Sequence, residues 1–488
     1  MKKQDRASRK LEKINKKNKK RLKREVMFTT YFFVFLFMGM IGYLVHFVAT
    51  NEQELINNSY NSRQELLTAE NYRGSIYSAD GELLAYTDFL EDGSEIREYP
   101  YENLFSHIVG FSTKGKTGIE SLANYYLINS NISLSTKISN EVAGEKNPGD
   151  NVYTTLDTQL QQIASDYLGV YKGAVIVTEV ETGKILAMVS KPDFDPNTIV
   201  SDWDDYVADT ETSVLLNRAT QGIYPPGSTF KIITALQYIR ENPDTYSNYS
   251  YQCNGIINFA DSSISCYHGS VHGSVNLMTS FAKSCNTSFT NIGLSLDKDS
   301  FQDTLTQLQF NQNLPLDINY SKSSLTVSED TSDDNMMQIS IGQGIVQMTP
   351  IHLHLITSAV ANDGVVMTPY VLDKVIADNG TTVKQFSSKA ATTYMSTDEA
   401  AILRGLMEDV VLEGTATKLD GLSYTAAGKT GSAEFNAVAE DSHAWFTGFA
   451  PVDDPEIAIT IIVEGIGSGG DYAVPIAKRL FDCYFSVE

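Results

Sequence analysis

The stretch YPPGSTFKIITALQYI, Tyr224 to Ile239, decides the fold. Two prolines and a glycine end an extended segment, and Ser228 follows at the point where a helix should begin. Serine is a favoured N-cap residue, so we expect it to start this helix. The residues that follow have the spacing of one apolar helical face. They predict a mostly buried helix with an inward face of Phe230, Ile232, Ile233, Leu236 and Ile239.

Ser228 and Lys231 lie three residues apart and therefore share one face of this helix. Burial disfavours the charged form of an amine, so Lys231 could take the proton of the Ser228 hydroxyl. The first backbone N–H groups of the helix could stabilise an oxyanion. The plainer interpretation is an N-cap serine beside a lysine that reaches solvent. The same spacing occurs at Ser295-Leu-Asp-Lys298, which we interpret as a solvated turn.

Charge divides the 488-residue chain sharply. Residues 1–26 contain thirteen Lys/Arg and three Asp/Glu, a net charge of +10, and removing them from the total of −23 leaves −33 for the rest. A basic arm of this kind could bind nucleic acid, but an apolar segment follows directly. Nucleic acid is therefore not an expected partner, and the acidic remainder is interpreted as solubilising.

Residues 27–50 contain no Asp, Glu, Lys or Arg. A helix of this length spans about 36 Å, enough for a hydrocarbon core of about 30 Å. The basic tail before it predicts a cytoplasmic N-terminus and an extracellular remainder, in a single-pass protein of the cell membrane. The tail could also hold anionic lipid headgroups. A cleaved signal peptide is the main rival, but its apolar region would be shorter and no clear cleavage site is present.

After the anchor we predict a stalk and a small β-rich pedestal module over residues 51–150, and an α/β domain over residues 151–488. RGSIYSADGELLAYT, from Arg73, is typical of two strands around a turn, and GAVIVTEVETGKILAMVS, from Gly173, of a hairpin. The middle of the chain is mostly helical, with a polar loop over residues 317–337. Strands return after residue 423 and a helix closes the chain near Ala473–Cys483. One sheet is thus expected to assemble from both ends of the domain.

The four cysteines are too few for a disulfide framework. Cys253 and Cys266 lie in one Gly/Ser-rich excursion, where a bridge and two free thiols are both open. Cys285 and Cys483 are expected to be buried.

Two further motifs could complete an acyl-transfer site. Ser284-Cys285-Asn286, 56 residues after Ser228, offers a proton relay and a clamp for a peptide backbone. Lys429-Thr430-Gly431-Ser432, 201 residues after Ser228, offers groups for a carboxylate, and its glycine would let a substrate approach the strand closely. The N–H of Ser432 could join that of Ser228 in an oxyanion hole. Ser-x-Asn also occurs at Ser59-Tyr-Asn61, in the stalk, and at Ser274-Val-Asn276, which we interpret as the N-cap of the helix that carries Ser284. Lys-Thr-Gly also occurs at Lys116-Thr117-Gly118, which we interpret as a turn.

Ser-x-x-Lys, Ser-x-Asn and Lys-Thr-Gly in this order are the signature of penicillin-binding proteins and serine β-lactamases. The chain resembles the class B penicillin-binding proteins, and most closely their short A type, over nearly its whole length. The resemblance implies an α/β penicillin-binding, β-lactamase-like transpeptidase domain, with an antiparallel sheet flanked by helices. It follows a single transmembrane helix and the small pedestal.

The resemblance implies peptidoglycan D,D-transpeptidation, with stem peptides as substrates and β-lactams as inhibitors. Ser228 would be the nucleophile, Lys231 the base and Ser284 the proton relay. Substrate would be held by Asn286, Lys429, Thr430, Gly431 and Ser432. No metal or organic cofactor is expected to be needed, and polymerisation of glycan would belong to a partner glycosyltransferase. The alternatives are a D,D-carboxypeptidase with the same site, or a membrane-anchored sensor or scaffold that binds β-lactam or stem peptide.

Overall fold

A computed structural model of the protein describes residues 2–57, 63–260, 262–434 and 442–486. The chain divides into two units, residues 1–65 and 66–488. The first unit contains one long helix, α1 (Lys2–Asn57), and the start of α2 (Arg63–Glu70). The stretch Lys3–Val48 of α1 is long and apolar enough to cross a membrane. The most apolar part of this stretch is not buried against other parts of the described chain. The basic tail and the apolar segment are therefore parts of one continuous helix.

The second unit begins with short strands and helices. They are β1 (Asn71–Tyr72), β2 (Ile76–Tyr77), β3 (Leu83–Phe89), β4 (Glu95–Glu98), α3 (Ser106–Val109), α4 (Gly118–Leu122), α5 (Asn124–Ile128), α6 (Leu134–Ala143), β5 (Asn147–Pro148), β6 (Asn151–Thr154) and α7 (Thr158–Leu168). β2 and β3 pair antiparallel around the turn at residues 78–82, as the sequence predicts.

A buried ion-pair cluster stabilises this region. The carboxylate of Glu120, on α4, accepts from Arg73 at 2.5 Å and from Arg97 at 2.7 Å. The Glu120 side chain is fully buried. Both guanidinium groups compensate the cost of burying its charge, and removing one partner would leave an uncompensated charge inside the protein.

The elements that carry most of the candidate site follow. They are β7 (Gly173–Glu179), β8 (Ile185–Lys191), α8 (Trp203–Ala208), α9 (Lys231–Glu241), β9 (Tyr251–Cys253), β10 (Ile256–Phe259), β11 (Ser262–Ser265), β12 (Gly273–Val275), α10 (Leu277–Ala282), α11 (Asn286–Ser295) and α12 (Lys298–Gln307). β7 and β8 form the predicted hairpin. The apolar face predicted for the helix after Ser228 is buried throughout.

The last third of the chain returns to the sheet. Its elements are α13 (Asp333–Ile339), α14 (Pro350–Ala361), β13 (Val365–Met367), β14 (Leu372–Ile376), β15 (Thr382–Gln385), β16 (Ala390–Thr393), α15 (Thr397–Leu412), β17 (Ala427–Glu434), β18 (Ser442–Ala450), β19 (Ile457–Val463) and α16 (Gly469–Tyr484). The polar segment 317–337, predicted as a loop, contains the start of α13. The closing helix is confirmed.

The main sheet has five antiparallel strands in the order β17-β18-β19-β7-β8. Strands from both ends of the domain thus assemble one sheet, as the sequence predicts. α14 packs on β7, β18 and β19, while α16 packs on the sheet together with α7. Because β17 is an edge strand, its outer edge is available to the segment around Ser228.

A second sheet, in the order β15-β14-β6-β2-β3-β4, joins distant parts of the chain. Its central strand β6 pairs parallel with β2 and antiparallel with β14. Residues 151–154 and 372–385 therefore complete the sheet of the small N-terminal module. The boundary at residue 150 stays a prediction, and it would pass through a shared sheet.

Candidate active site

Ser228 lies in a tight 3₁₀ turn, Gly227–Phe230, and the α-helix begins only at Lys231. The prediction that Ser228 is an N-cap is therefore wrong. The turn begins at Gly227, one residue before Ser228. Gly227 has φ +55°, and its N–H donates to the carbonyl of Gly342 at 2.9 Å. Ser228 is half-buried, and it lines a cleft between this turn and the other two motifs.

The turn Gly227–Phe230, here called the Ser228 turn, packs directly against β17. A Cβ on Gly431 would lie 3.1 Å from the Pro226 carbonyl oxygen and 3.1 Å from a methyl carbon of Thr229. A Cβ on Gly227 would lie 2.9 Å from the Ser432 carbonyl oxygen. Gly431 thus has a role that the sequence did not indicate. It allows close contact between the strand and the Ser228 turn.

The second motif forms the break between two helices. Asn276 caps α10 with a capping box, which confirms the interpretation of the Ser274-Val-Asn276 copy as an N-cap. α10 ends at Ala282, and Asn286 begins α11. Between them Ser284 has φ +53°, in the left-handed region that non-glycine residues rarely adopt. Backbone strain of this kind is concentrated at functional sites.

The two motif lysines meet at Ser284. Lys231 Nζ donates to Ser284 O at 2.8 Å, to Ser284 Oγ at 3.2 Å and to Asn286 Oδ1 at 2.7 Å. Lys429 Nζ lies 3.0 Å from Ser284 Oγ and 3.0 Å from Thr430 O. One hydroxyl therefore bridges two amines that lie far apart in the sequence.

Burial changes the chemistry of both amines. Both lysines are 0% exposed. Desolvation lowers the pKa of Lys231 to about 7. Electrostatic interaction with Cys285 and Cys266 raises this pKa by a smaller amount. Desolvation, and then the charge of Lys231, hold the pKa of Lys429 well below its usual range. A neutral amine has a lone pair, so Lys231 can accept a proton near neutral pH.

Two phenylalanines that the sequence analysis missed lie beside these amines. Phe289 contacts Lys231, with Nζ 5.5 Å from the ring centroid, and Phe281 contacts Lys429 at 5.6 Å. Both rings are buried. They exclude water, which explains the desolvation, while their π faces still attract a cation. In the sequence, Phe281 lies three residues before Ser284 and Phe289 three residues after Asn286. This spacing could have indicated that both rings lie near the site.

The predicted site residues converge on one cleft of about 1060 Å³. Its lining includes six of them, which are Ser228, Ser284, Asn286, Thr430, Gly431 and Ser432. The remaining two, Lys231 and Lys429, lie buried behind this wall. Asn286 Nδ2 donates to the Ser265 carbonyl at 3.0 Å, which joins the second motif to the β10–β11 hairpin at the rim.

Next to the second motif, three cysteines form a buried group. Cys253, Cys266 and Cys285 are free thiols. The sulfurs of Cys253 and Cys266, between which the sequence left a bridge open, lie 3.7 Å apart. His272, which the sequence analysis did not consider, lies beside Cys253.

Ser228 lies on a tight turn and lines the same cleft as Ser284, and Lys231, three residues after it, is a buried amine of lowered pKa. Such a set of groups can form and break an acyl-enzyme. The fold and the site thus define a serine acyltransferase of the Ser-x-x-Lys kind. The comparisons with known proteins narrow this class. Residues 173–482 match the family model of the penicillin binding protein transpeptidase domain, and residues 73–152 match that of the penicillin binding protein A dimerisation domain.

The chain is 31% identical over 439 residues to the peptidoglycan D,D-transpeptidase PbpA of Mycolicibacterium smegmatis, covering 83% of this chain and 87% of that protein. It is 29% identical to the peptidoglycan D,D-transpeptidase MrdA of Acinetobacter baumannii, covering 79% and 65%. The solved structure of penicillin-binding protein A from Mycobacterium tuberculosis, an imipenem acyl-enzyme complex, matches with a TM-score of 0.77 at 27% identity, covering 86% and 99%. The chain belongs to the class B penicillin-binding protein family.

Proposed function

We propose that this protein is a membrane-anchored peptidoglycan D,D-transpeptidase that cross-links stem peptides through an acyl-enzyme on Ser228. The observation that carries the proposal is the convergence of Lys231 and Lys429 on Ser284 Oγ, beside a cleft that Ser228 lines. The family relationship supports a peptidoglycan substrate and the binding of β-lactams.

The first half of the reaction forms the acyl-enzyme. Ser228 Oγ attacks the carbonyl carbon of the penultimate D-Ala, and its proton passes to neutral Lys231. The C–N bond to the terminal D-Ala then breaks. The proton returns from Lys231 through Ser284 to the leaving nitrogen, so D-Ala departs as a neutral amine. Ser284 Oγ suits this step because it lies within hydrogen-bonding distance of Lys231 Nζ.

The second half transfers the acyl group. The amine of a neighbouring stem peptide attacks the ester carbonyl, and Lys231 takes the proton that this amine loses. The new amide bond forms, the ester bond to Ser228 breaks, and the proton returns to Ser228 Oγ. The protein ends the cycle in its starting state.

Substrate binding is assigned to the other motif residues. Asn286 would hold the peptide backbone. Lys429, Thr430, Gly431 and Ser432 would hold the terminal carboxylate and the carbonyl oxygen. A bound carboxylate would favour the charged form of Lys429 again, because a nearby negative charge raises the pKa of an amine. Lys429 would therefore be charged most fully when the carboxylate of the correct substrate is bound.

We further propose that α1 anchors the protein in the cell membrane, with the N-terminus in the cytoplasm and the second unit outside. The helix is long and apolar enough for this, and its basic residues precede the apolar segment. Anionic lipid headgroups would bind the basic tail, and a separate glycosyltransferase would supply the glycan strands.

The test uses the full chain in detergent with a donor strand ending in D-Ala-D-Ala and an acceptor stem peptide. We expect release of D-Ala together with a cross-linked product, and neither with Ser228→Ala. Ser295→Ala is the matched control, because Ser295 belongs to the other Ser-x-x-Lys copy and should be dispensable. D-Ala release without a cross-link would indicate a carboxypeptidase. Neither product, from folded protein, would contradict the proposal and favour a sensor or scaffold.

A further inference from the structure

Four potential metal ligands meet beside the second motif. Cys253 ends β9, Cys266 follows β11, His272 precedes β12, and Cys285 lies in the break between α10 and α11. Each offers one ligand atom, and these atoms all lie within 4.8 Å of one another. Pairing of Gly273 with Cys253 in the β9–β12 ladder brings His272 beside Cys253. The backbone topology thus collects residues from four separate places.

The distances fit a tetrahedral metal. Cys266 Sγ lies 3.7 Å from Cys253 Sγ and 3.7 Å from Cys285 Sγ, and Cys253 Sγ lies 3.4 Å from His272 Nδ1. Zinc bound tetrahedrally, with Zn–S bonds of about 2.3 Å, holds its sulfurs about 3.8 Å apart. A disulfide would use only two of the three sulfurs, so the third would remain a free thiol.

We propose that Cys253, Cys266, His272 and Cys285 bind one Zn²⁺ as a closed, structural site. Binding converts three thiols to thiolates with release of their protons, and the imidazole binds in its neutral form. Four protein ligands leave no open position for water, so the ion has no part in acyl transfer. The Thr287 hydroxyl lies 3.2 to 3.6 Å from all three sulfurs and would support them from outside the ligand shell.

The ion would hold the second motif in place. Cys285 is the central residue of Ser284-Cys285-Asn286, so a bond from its sulfur would restrain the strained Ser284 turn directly. Cys266 follows Ser265, whose carbonyl accepts from Asn286. One ion would thus tie the rim hairpin β10–β11 to the turn that positions Ser284. Cys266 and His272 also border the cleft, which gives the metal a path of entry.

The test measures metal content of the full chain, purified in detergent with its thiols kept reduced, then incubated with Zn²⁺ and freed of excess ion. We expect about one Zn²⁺ per chain. Cys253→Ser and His272→Ala should each weaken retention at least about tenfold, whereas Cys483→Ser, a cysteine outside the cluster, should retain the ion. Co²⁺ in place of zinc should give thiolate-to-cobalt absorption and tetrahedral bands in the unchanged protein.

Two results would overturn the proposal. One is reduced, folded protein that retains no stoichiometric Zn²⁺ and gives no thiolate–cobalt absorption. The other is equal retention by Cys253→Ser, His272→Ala and Cys483→Ser. The cobalt spectrum of the unchanged protein decides the matter even if a ligand variant fails to fold. Neither readout depends on transpeptidation, so failure here and failure of the proposed function are distinguishable.

Discussion

Ser284 combines hydrogen bonds to both buried lysines of the site with an unusual backbone conformation. Its hydroxyl bridges Lys231 and Lys429, and its φ of +53° keeps that hydroxyl between two helices. The motif alone predicted the residue and a relay role. It could not predict the conformation, because the left-handed turn results from α10 ending and α11 beginning within four residues.

Acylation should depend on pH through Lys231. Burial lowers the pKa of its amine to about 7, and only the neutral amine can accept the Ser228 proton. The second-order rate of acylation by benzylpenicillin should therefore rise with pH up to about 7 and level off above it. Below that pH we expect a loss of about tenfold per pH unit. Lys298→Ala, in the other Ser-x-x-Lys copy, should keep this profile. A flat profile from acid to alkaline pH would contradict Lys231 as the base.

The hydroxyl and the strain of Ser284 can be separated with two variants. Ser284→Ala and Ser284→Gly both remove the relay, so each should slow acylation by about 10²- to 10⁴-fold. Glycine adopts positive φ without cost, so Ser284→Gly should be more stable than Ser284→Ala by about 1 kcal/mol. Acylation kinetics and thermal unfolding of the full chain in detergent measure both effects. Equal stability would mean that the turn is not strained, and unchanged acylation by both would remove the relay role.

At the scale of elements, the site depends on the contact between β17 and the Ser228 turn. The sequence predicted a strand at Lys429 and a helix near Ser228, and both exist. It assigned Gly431 to substrate approach, because a single sequence does not show which segment borders the edge of a sheet. The structure shows that Pro226 and Thr229 also pack against this glycine, and its role toward the substrate stays a prediction.

Gly431→Ala should disturb this contact. Its new methyl group would lie 3.1 Å from backbone and side-chain atoms of the turn, so the strand or the turn must move by a few tenths of an ångström. We expect acylation to slow by about ten- to a hundredfold, since small displacements of reacting groups are costly. The measurement is the acylation rate of folded protein.

The control for this variant is Gly405→Ala, in the middle of α15. A methyl group there would meet nothing within 4 Å. Acylation should stay unchanged, and stability should rise by up to about 1 kcal/mol, because alanine favours helix over glycine. Equal acylation by the Gly431→Ala and unchanged proteins would show that the tight contact is not required.

At the scale of the whole molecule, the hydrophobic pattern of the sequence predicted individual elements better than it predicted which distant strands pair. The anchor helix, the β7–β8 hairpin and the five-stranded sheet follow from local patterns that a single sequence displays. The second sheet does not, because β6, β14 and β15 are short and join β2, β3 and β4 in one sheet from distant positions in the sequence. The cysteine cluster was missed for a similar reason, since the role of His272 appears only when β9 and β12 pair.

Membrane orientation can be tested with two cysteines in a Cys483→Ser background. Val170, 96% exposed, should be extracellular, and Ser8 should be cytoplasmic. The Cys483→Ser protein itself, which keeps Cys253, Cys266 and Cys285, gives the background labelling. Above this background, a membrane-impermeant maleimide should label Val170→Cys in intact spheroplasts, and Ser8→Cys only after permeabilisation, since the basic tail stays inside. The reverse pattern would contradict the proposed topology.

The central claim is that Ser228 is the nucleophile of a penicillin-binding acyltransferase. The most direct measurement is the intact mass of the full chain after incubation with benzylpenicillin, followed by peptide mapping. We predict one adduct with the mass of the whole drug on the peptide that contains Ser228, absent from Ser228→Ala and retained by Ser295→Ala. An adduct that persists in Ser228→Ala, or folded unchanged protein that forms none, would contradict the account.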